Sequence, residues 1–255
     1  MTQLPRTPSF RLDGRRALIT GAGRGLGLAA AAALAEAGAH VVLAARTRPE
    51  IEAAARAIVE RGGSAEPLVL DVLDVTAVRQ TLAAAEPFHV LVNNAGTNRP
   101  RPMTDITTED FDAVMDLNVR AAYFVAQTVA ARMVSEAIAG SIINISSQMG
   151  HVGWSKRTVY CASKHAIEGL TKAMAVEFGA AGIRVNTVGP TFIVTEMTRP
   201  YFEDAAFRDA VLGKIKLGRL GEVEDVMGPI LFLASDASAM ITGTALLVDG
   251  GWTAD

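Results

Sequence analysis

The sequence predicts a single-domain, doubly wound α/β fold, a parallel sheet of seven strands with helices on both faces. Three observations carry that expectation. Short apolar runs of strand length alternate with helical stretches along the chain, the pattern of a parallel sheet joined by crossover helices. The first of these runs leads through a glycine-rich loop straight into an alanine-rich helix. The 255 residues, half hydrophobic and only 20% charged, can bury one sizeable core, and no repeat or low-complexity linker divides them.

Composition narrows the function classes. A net charge of −3 offers no concentrated positive surface for nucleic acid or anionic membrane, so small molecules are the expected partners. No apolar run approaches the roughly 20 residues of a membrane span. Residues 1–11 read as a loose polar lead-in without the apolar centre of a signal peptide. Cys161 is the only cysteine, which rules out an internal disulfide and a cysteine metal cage and points to the cytoplasm.

Residues 15–19 form the first strand, followed by Thr20-Gly21-Ala22-Gly23-Arg24-Gly25-Leu26-Gly27. A diphosphate is held by backbone N–H groups and the positive end of a helix, and glycine lets the backbone approach it closely. The pattern G-x-G-x-x-G fails here, since its last position falls on Leu26 or Leu28; T-G-x-x-x-G-x-G fits through Thr20, Gly21, Gly25 and Gly27. An ordinary turn before a helix explains such a loop equally well, so other residues must corroborate it. The helix at 28–37 ends near Gly38, and residues 40–45 form the second strand, closed by Arg46. An acidic residue at this strand end suits a ribose 2′-hydroxyl, and an arginine suits a 2′-phosphate. Ala45 and Arg46 stand there, which favours NADP(H), with help from Arg24 or Arg48. A merely solvated Arg46 would leave NAD(H) open.

Residues 49–61 have Ile51, Ala54, Ala55, Ile58 and Val59 at helical spacing, and Gly62-Gly63 ends the helix. A third strand at 65–70 delivers Asp71 and Val72 to its carboxyl end, where Asp71 meets an adenine or caps the next helix, 75–85. The strand at 88–92 runs into Asn93-Asn94-Ala95-Gly96, small and amide residues that let the chain pass beneath a cofactor or simply turn. Residues 108–134 form a long helical stretch with Asn118 in its middle. A fifth strand, 140–145, ends at Ser146-Ser147; helix 158–178 and strand 183–188 follow, the latter leaving through Gly189-Pro190. The pattern blurs over 191–216, an excursion expected to cover the site. Helix 223–234 and strand 244–248, closed by Asp249-Gly250-Gly251, complete the chain.

Tyr160 and Lys164 stand at i and i+4 and share a helix face. An ammonium nearby favours phenolate, lowers the tyrosine pKa from about 10 and makes it a usable acid/base. Ser147, at a strand end thirteen residues earlier, would hold a substrate oxygen as charge shifts. Singly, these residues also read as an interfacial Tyr, a snorkelling Lys and a turn serine; with the glycine loop they form a set. Cys161, about 100° from Tyr160 around the helix, reads as packing.

The set, in this order, resembles the short-chain dehydrogenase/reductase family from about Leu12 to Gly251. The matching pieces are the glycine loop, Asp71, Asn93-Asn94-Ala95-Gly96, Asn118, Ser147, Tyr160-x-x-x-Lys164 and Asn186-x-x-Gly189-Pro190. The resemblance implies a Rossmann-type fold and reversible hydride transfer between nicotinamide C4 and a carbonyl or secondary alcohol carbon, without a metal. It makes Tyr160 the acid/base, has Lys164 lower its pKa and bind the nicotinamide ribose, has Ser147 orient the carbonyl, and has Asn118 hold a relay water. Gly21, Arg24, Gly25, Leu26 and Gly27 would carry the diphosphate, Asp71 and Val72 the adenine, and Asn94, Ala95 and Gly96 the adenosine side. Val188, Pro190, Thr191 and Thr195 would meet the nicotinamide end. Thr191 is a departure, because the family often has Pro-Gly where Pro190-Thr191 stands. The tail ending in Trp252 resembles a subunit contact, implying a homotetramer or a dimer.

The pocket wall is expected to hold Arg99, Arg101, His151, Trp154, Lys156 and Arg157, with Phe192, Met197, Tyr201 and Phe202 from the covering segment. These cations suit an acidic sugar, keto acid or carrier-linked acyl chain, or are solvated loop residues. The alternatives to an NADP(H)-linked carbonyl reductase are an NAD-linked sugar or hydroxy-acid dehydrogenase, an epimerase on the same scaffold, and a non-catalytic nucleotide-binding protein.

Overall fold

The computed structural model describes residues 4–254; residues 1–3 of the expected lead-in, and residue 255, lie outside the described residues. Seven strands form: β1 Arg16–Thr20, β2 His40–Ala45, β3 Ser64–Val69, β4 Val90–Asn93, β5 Ser141–Ile145, β6 Arg184–Pro190 and β7 Ala245–Val248. They pair in parallel in the order β3-β2-β1-β4-β5-β6-β7, with Leu18 of β1 opposite Val42 on one side and Leu91 on the other. The central strands are buried on both faces and therefore read as unbroken apolar runs. The chain builds outward from β1 to β3, then returns to lay β4 on the other side of β1. The loops leaving β1 and β4 part there and open a crevice at the strands' carboxyl ends.

Among the described residues, eight α-helices accompany the sheet: α1 Gly25–Glu36, α2 Arg48–Glu60, α3 Val75–Ala84, α4 Thr108–Met115, α5 Ala122–Ser135, α6 Thr158–Phe178, α7 Ala205–Leu212 and α8 Glu224–Ala234. Leu34, Ile51, Ile58, Ile230 and Leu233 bring α1, α2 and α8 onto one face. Val78, Leu82, Val125, Val129, Met133 and Met174 bring α3, α5 and α6 onto the other. Each such side chain contributes about 2 kcal/mol on burial. Among the described residues, no helix is long and apolar enough to cross a membrane.

Three local features add to the sequence reading. The stretch at 108–134 is helical throughout, with a wide π turn, Asp116–Ala121, between α4 and α5. Such a turn inserts a residue without disturbing the apolar spacing on either side. The excursion at 191–216 contains a 3-10 turn, Arg199–Glu203, and then α7, which Asp204 caps by accepting from the amides of Ala206 (3.0 Å) and Phe207 (3.2 Å). The tail also turns inward. Trp252 is buried in its own chain, its ring 5.0 Å from Trp154 and 5.7 Å from Phe192.

Candidate active site

A cleft of about 430 Å³ follows the crevice from the glycine loop to the start of α6. Its glycine-loop end is made of backbone. Gly21 (φ +65°) and Gly25 (φ +55°) occupy the left-handed region that glycine alone adopts freely. Neither a side-chain cap nor a first-turn acid satisfies the N-terminus of α1, so its N–H groups remain available to an anion. Gly27 lies beneath, where a Cβ would collide with the Gly21 carbonyl oxygen. Thr20 Oγ accepts from the amides of Asn94 (2.9 Å) and Ala95 (3.0 Å), and Asn94 Nδ2 donates to the carbonyls of Thr20 (2.9 Å) and Gly21 (3.2 Å). The end of β4 is thus stapled to the loop. Arg46, Asp71 and Val72 line the adjacent wall, with Arg46 exposed.

At the other end, Ser147 leaves β5 and Tyr160 and Lys164 leave the first turns of α6. The Ser147 hydroxyl donates to Gln148 Oε1 (2.8 Å) and accepts from the Met149 amide (3.1 Å), and it lines the cleft with the Tyr160 phenol. Lys164 Nζ donates to the Ile145 carbonyl (2.8 Å) and lies 5.6 Å from the Tyr160 ring centre. The expected lowering of the tyrosine pKa is not found. Burial raises it, against smaller opposing effects of the neighbouring Ser147 hydroxyl and Arg157, while burial also pushes Lys164 down to about 8 against the pull of Glu168. The lysine's amine is aimed at a backbone carbonyl, not at the phenol.

Most of the expected site converges: Gly21, Arg24, Gly25, Leu26, Arg46, Asp71, Val72, Asn94, Ala95, Gly96, Ser147, Tyr160, Lys164, Pro190, Thr191 and Thr195 all line the cleft. Gly27, Val188 and Asn118 do not. Val188 is fully buried in β6, and Gly27 supports the loop from below. Asn118 is buried in the π turn, exchanging hydrogen bonds with the Thr97 backbone (2.8 and 2.9 Å) and donating to Ser163 Oγ (3.1 Å). It braces the segment after Gly96 from behind. Of the expected pocket wall, Arg157, Phe192, Met197 and Tyr201 reach the cleft, whereas Arg99, Arg101, His151, Trp154, Lys156 and Phe202 do not. Glu50, Gln148 and Met149 line it unforeseen. Glu50 had a signal, its place in the first turn of the helix after β2. The Thr191 hydroxyl, buried in the cleft wall, has no hydrogen-bond partner among the described residues.

A family described as enoyl-(acyl carrier protein) reductase matches residues 21–253. The chain belongs to the short-chain dehydrogenase/reductase family. As a short-chain dehydrogenase/reductase it is an oxidoreductase. D-erythrulose reductase of Gallus gallus is 43% identical over 245 residues, 96% of this chain and 98% of that protein. L-xylulose reductase of Mus musculus is 42% identical over 243 residues, 95% of this chain and 98% of that one. A gluconate 5-dehydrogenase from Burkholderia cenocepacia J2315, solved in complex with NADP and tartrate, superposes with a TM-score of 0.93. It is 39% identical, and the match covers 96% of this chain and 98% of that one.

Proposed function

We propose that this short-chain dehydrogenase/reductase is an NADP(H)-dependent carbonyl reductase, running in reverse as a secondary-alcohol dehydrogenase on sugar-type substrates. One observation carries the reading: a single cleft joins an uncapped helix N-terminus flanked by Arg46 to the Ser147 and Tyr160 side chains. The backbone N–H groups at Gly25 and Leu26 suit the diphosphate, Arg46 the 2′-phosphate, Asp71 and Val72 the adenine. The unpaired Thr191 hydroxyl offers a hydrogen bond at the nicotinamide end. The bound nicotinamide supplies or accepts the hydride. Ser147 holds the substrate oxygen, and Tyr160, kept protonated by its burial, donates a proton to it. A protonated tyrosine suits reduction near neutral pH, and oxidation gains as pH rises. Lys164, with its charge beneath the tyrosine, orders the site. The sugar-type substrate is supported by the reductases and the gluconate 5-dehydrogenase similar to this chain.

The lone unpaired Cys161 suits a reducing cytoplasm. Exposed Phe111, Tyr123 and Val176, on α4, α5 and α6, leave apolar area that suits a homotetramer or dimer. The covering role of residues 191–216 within one domain rests on Ile193, Thr195, Met197 and Tyr201, which line the cleft. A second reading, NAD-linked oxidation of a sugar or hydroxy acid, draws on Glu50, a carboxylate beside the glycine loop.

Calorimetric titration of NADPH and NADH separates the two. NADPH should bind more tightly, and Arg46→Ala should cost it about tenfold while moving NADH less than about twofold, the scale of one exposed charge pair. Tighter NADH binding, or an Arg46→Ala variant that treats both alike, would install the NAD-linked reading instead.

A further inference from the structure

The half-buried Arg184 has partners: it donates to the carbonyls of Leu233 (2.8 Å) and Ser235 (3.2 Å) and to Ser238 Oγ (2.7 Å). Even the exposed Arg101 and Arg219 pair with Asp110 (3.2 Å) and Asp225 (2.6 Å). Arg157 is different. It is only 7% exposed, lines the cleft, and stands three residues before Tyr160 at the mouth of α6. Among the described residues its guanidinium makes one hydrogen bond, a 3.4 Å contact to the carbonyl of its neighbour Lys156, and no carboxylate pairs with it. The groups that pull on its charge are Tyr201, Tyr160 and Cys161, with no carboxylate among them. Burial holds its pKa below the ordinary guanidinium value, which marks how poorly the protein itself compensates the cation.

A guanidinium presents five donors in one plane, and two of them match the oxygens of a carboxylate. We propose that Arg157 binds a carboxylate of the substrate, so that the enzyme acts on hydroxy and keto acids, sugar acids included, in preference to neutral ketoses. This rests on the reductase reading for the reaction itself, and it names the substrate class. Arg157 and Tyr160 lie within one helical turn, which puts the carboxylate a few bonds from the reacting carbon. Binding such a group supplies the missing counter-charge and discriminates against a hydroxymethyl in its place, which would leave the guanidinium buried and unpaired.

The test compares L-tartrate with L-threitol, which share a four-carbon chain and differ in carboxylate against hydroxymethyl ends. Calorimetry would be run on the protein alone and saturated with NADP. Tartrate should bind on the order of 100-fold more tightly, and Arg157→Met should collapse that ratio to about threefold or less. Arg157→Lys, which keeps the charge but loses the fork, should lower it about fivefold; Arg101→Met should leave it alone. Equal affinities in the wild type, or a ratio that stays undiminished in Arg157→Met or Arg157→Lys, would overturn the proposal. If Arg157→Met does not fold, the wild-type ratio and Arg157→Lys decide. Tartrate preference without NADPH binding or turnover would sink the reductase reading and keep the anion site; turnover of neutral ketoses without tartrate preference would do the reverse.

Discussion

The two ends of the cleft are built by different means. At the glycine-loop end the recognising atoms are backbone: the open N-terminus of α1, two left-handed glycines, and a loop fixed to β4 through Thr20 and Asn94. At the substrate end they are side chains from distant segments. Ser147, Tyr160 and Arg157 face Met197 and Tyr201, and Phe192 packs edge-on to Phe207 at 5.5 Å behind them. A backbone site is indifferent to most substitutions and can serve one cofactor across many relatives. A side-chain site changes with every substitution, which is how relatives named for erythrulose, xylulose and gluconate can share one scaffold.

If the two ends are separable, Tyr160→Phe should abolish chemistry without touching cofactor binding. The variant keeps the ring and loses the hydroxyl and its proton. Turnover should fall on the order of 10³-fold, while the NADPH dissociation constant stays within about threefold by calorimetry. Parallel loss of both would mean that the ends form one cooperative unit and that the contrast fails.

The same division explains what the sequence disclosed. All seven strands were legible, the central ones because strands buried on both faces are continuous apolar runs, and so was the glycine loop, whose function depends on local spacing. The π turn and α7 were not: the first preserves the apolar rhythm around it, and the second lies among mixed aromatic and charged residues. Side-chain direction was the larger gap. Spacing put Tyr160 and Lys164 on one face but did not reveal that Lys164 Nζ bonds the Ile145 carbonyl. Among the cations expected in the pocket, the chain path turned Arg157 inward and Arg101 out toward Asp110. Asn118, Gly27 and Val188 fall in the motifs yet serve from beneath the cleft. A motif records which residues the site needs, and the fold decides which of them touch a ligand.

Lys164 lies where the two ends meet and sharpens the contrast through pH. Burial sets its pKa to about 8 in the folded protein, below the unfolded lysine value of about 10.4. The unfolded chain therefore binds more protons between those values, and this group makes stability rise as pH climbs from 8 to 10; below pH 8 its penalty is fully present. Lys164→Met, which removes the titration, should gain most on the wild type near pH 7 and lose that advantage by pH 10. The relative change should be on the order of 3 kcal/mol. Thermal melts of both proteins across that range would show it, and a pH-independent difference would mean that the lysine is not desolvated.

The smallest expected effect belongs to Glu50, the side chain that intrudes on the backbone end. Its carboxylate reaches the cleft beside Gly23, where a Cβ would come within 2.8 Å of Glu50 Oε2, and Arg24 lies 3.5 Å away. An anion near the rim repels a 2′-phosphate more than a 2′-hydroxyl. The Arg24 pair offsets part of that repulsion, and solvent screens the rest, since more than a third of the Glu50 side chain is exposed. Glu50→Gln should therefore tighten NADPH by about two- to threefold, leave NADH nearly unchanged, and lose its effect in high salt. A larger gain would show that Glu50 is the dominant selector against the 2′-phosphate, and Arg46 would then be compensating for it. No gain would mean that Arg24 already neutralises it, leaving the cofactor end to be read from its backbone and Arg46 alone.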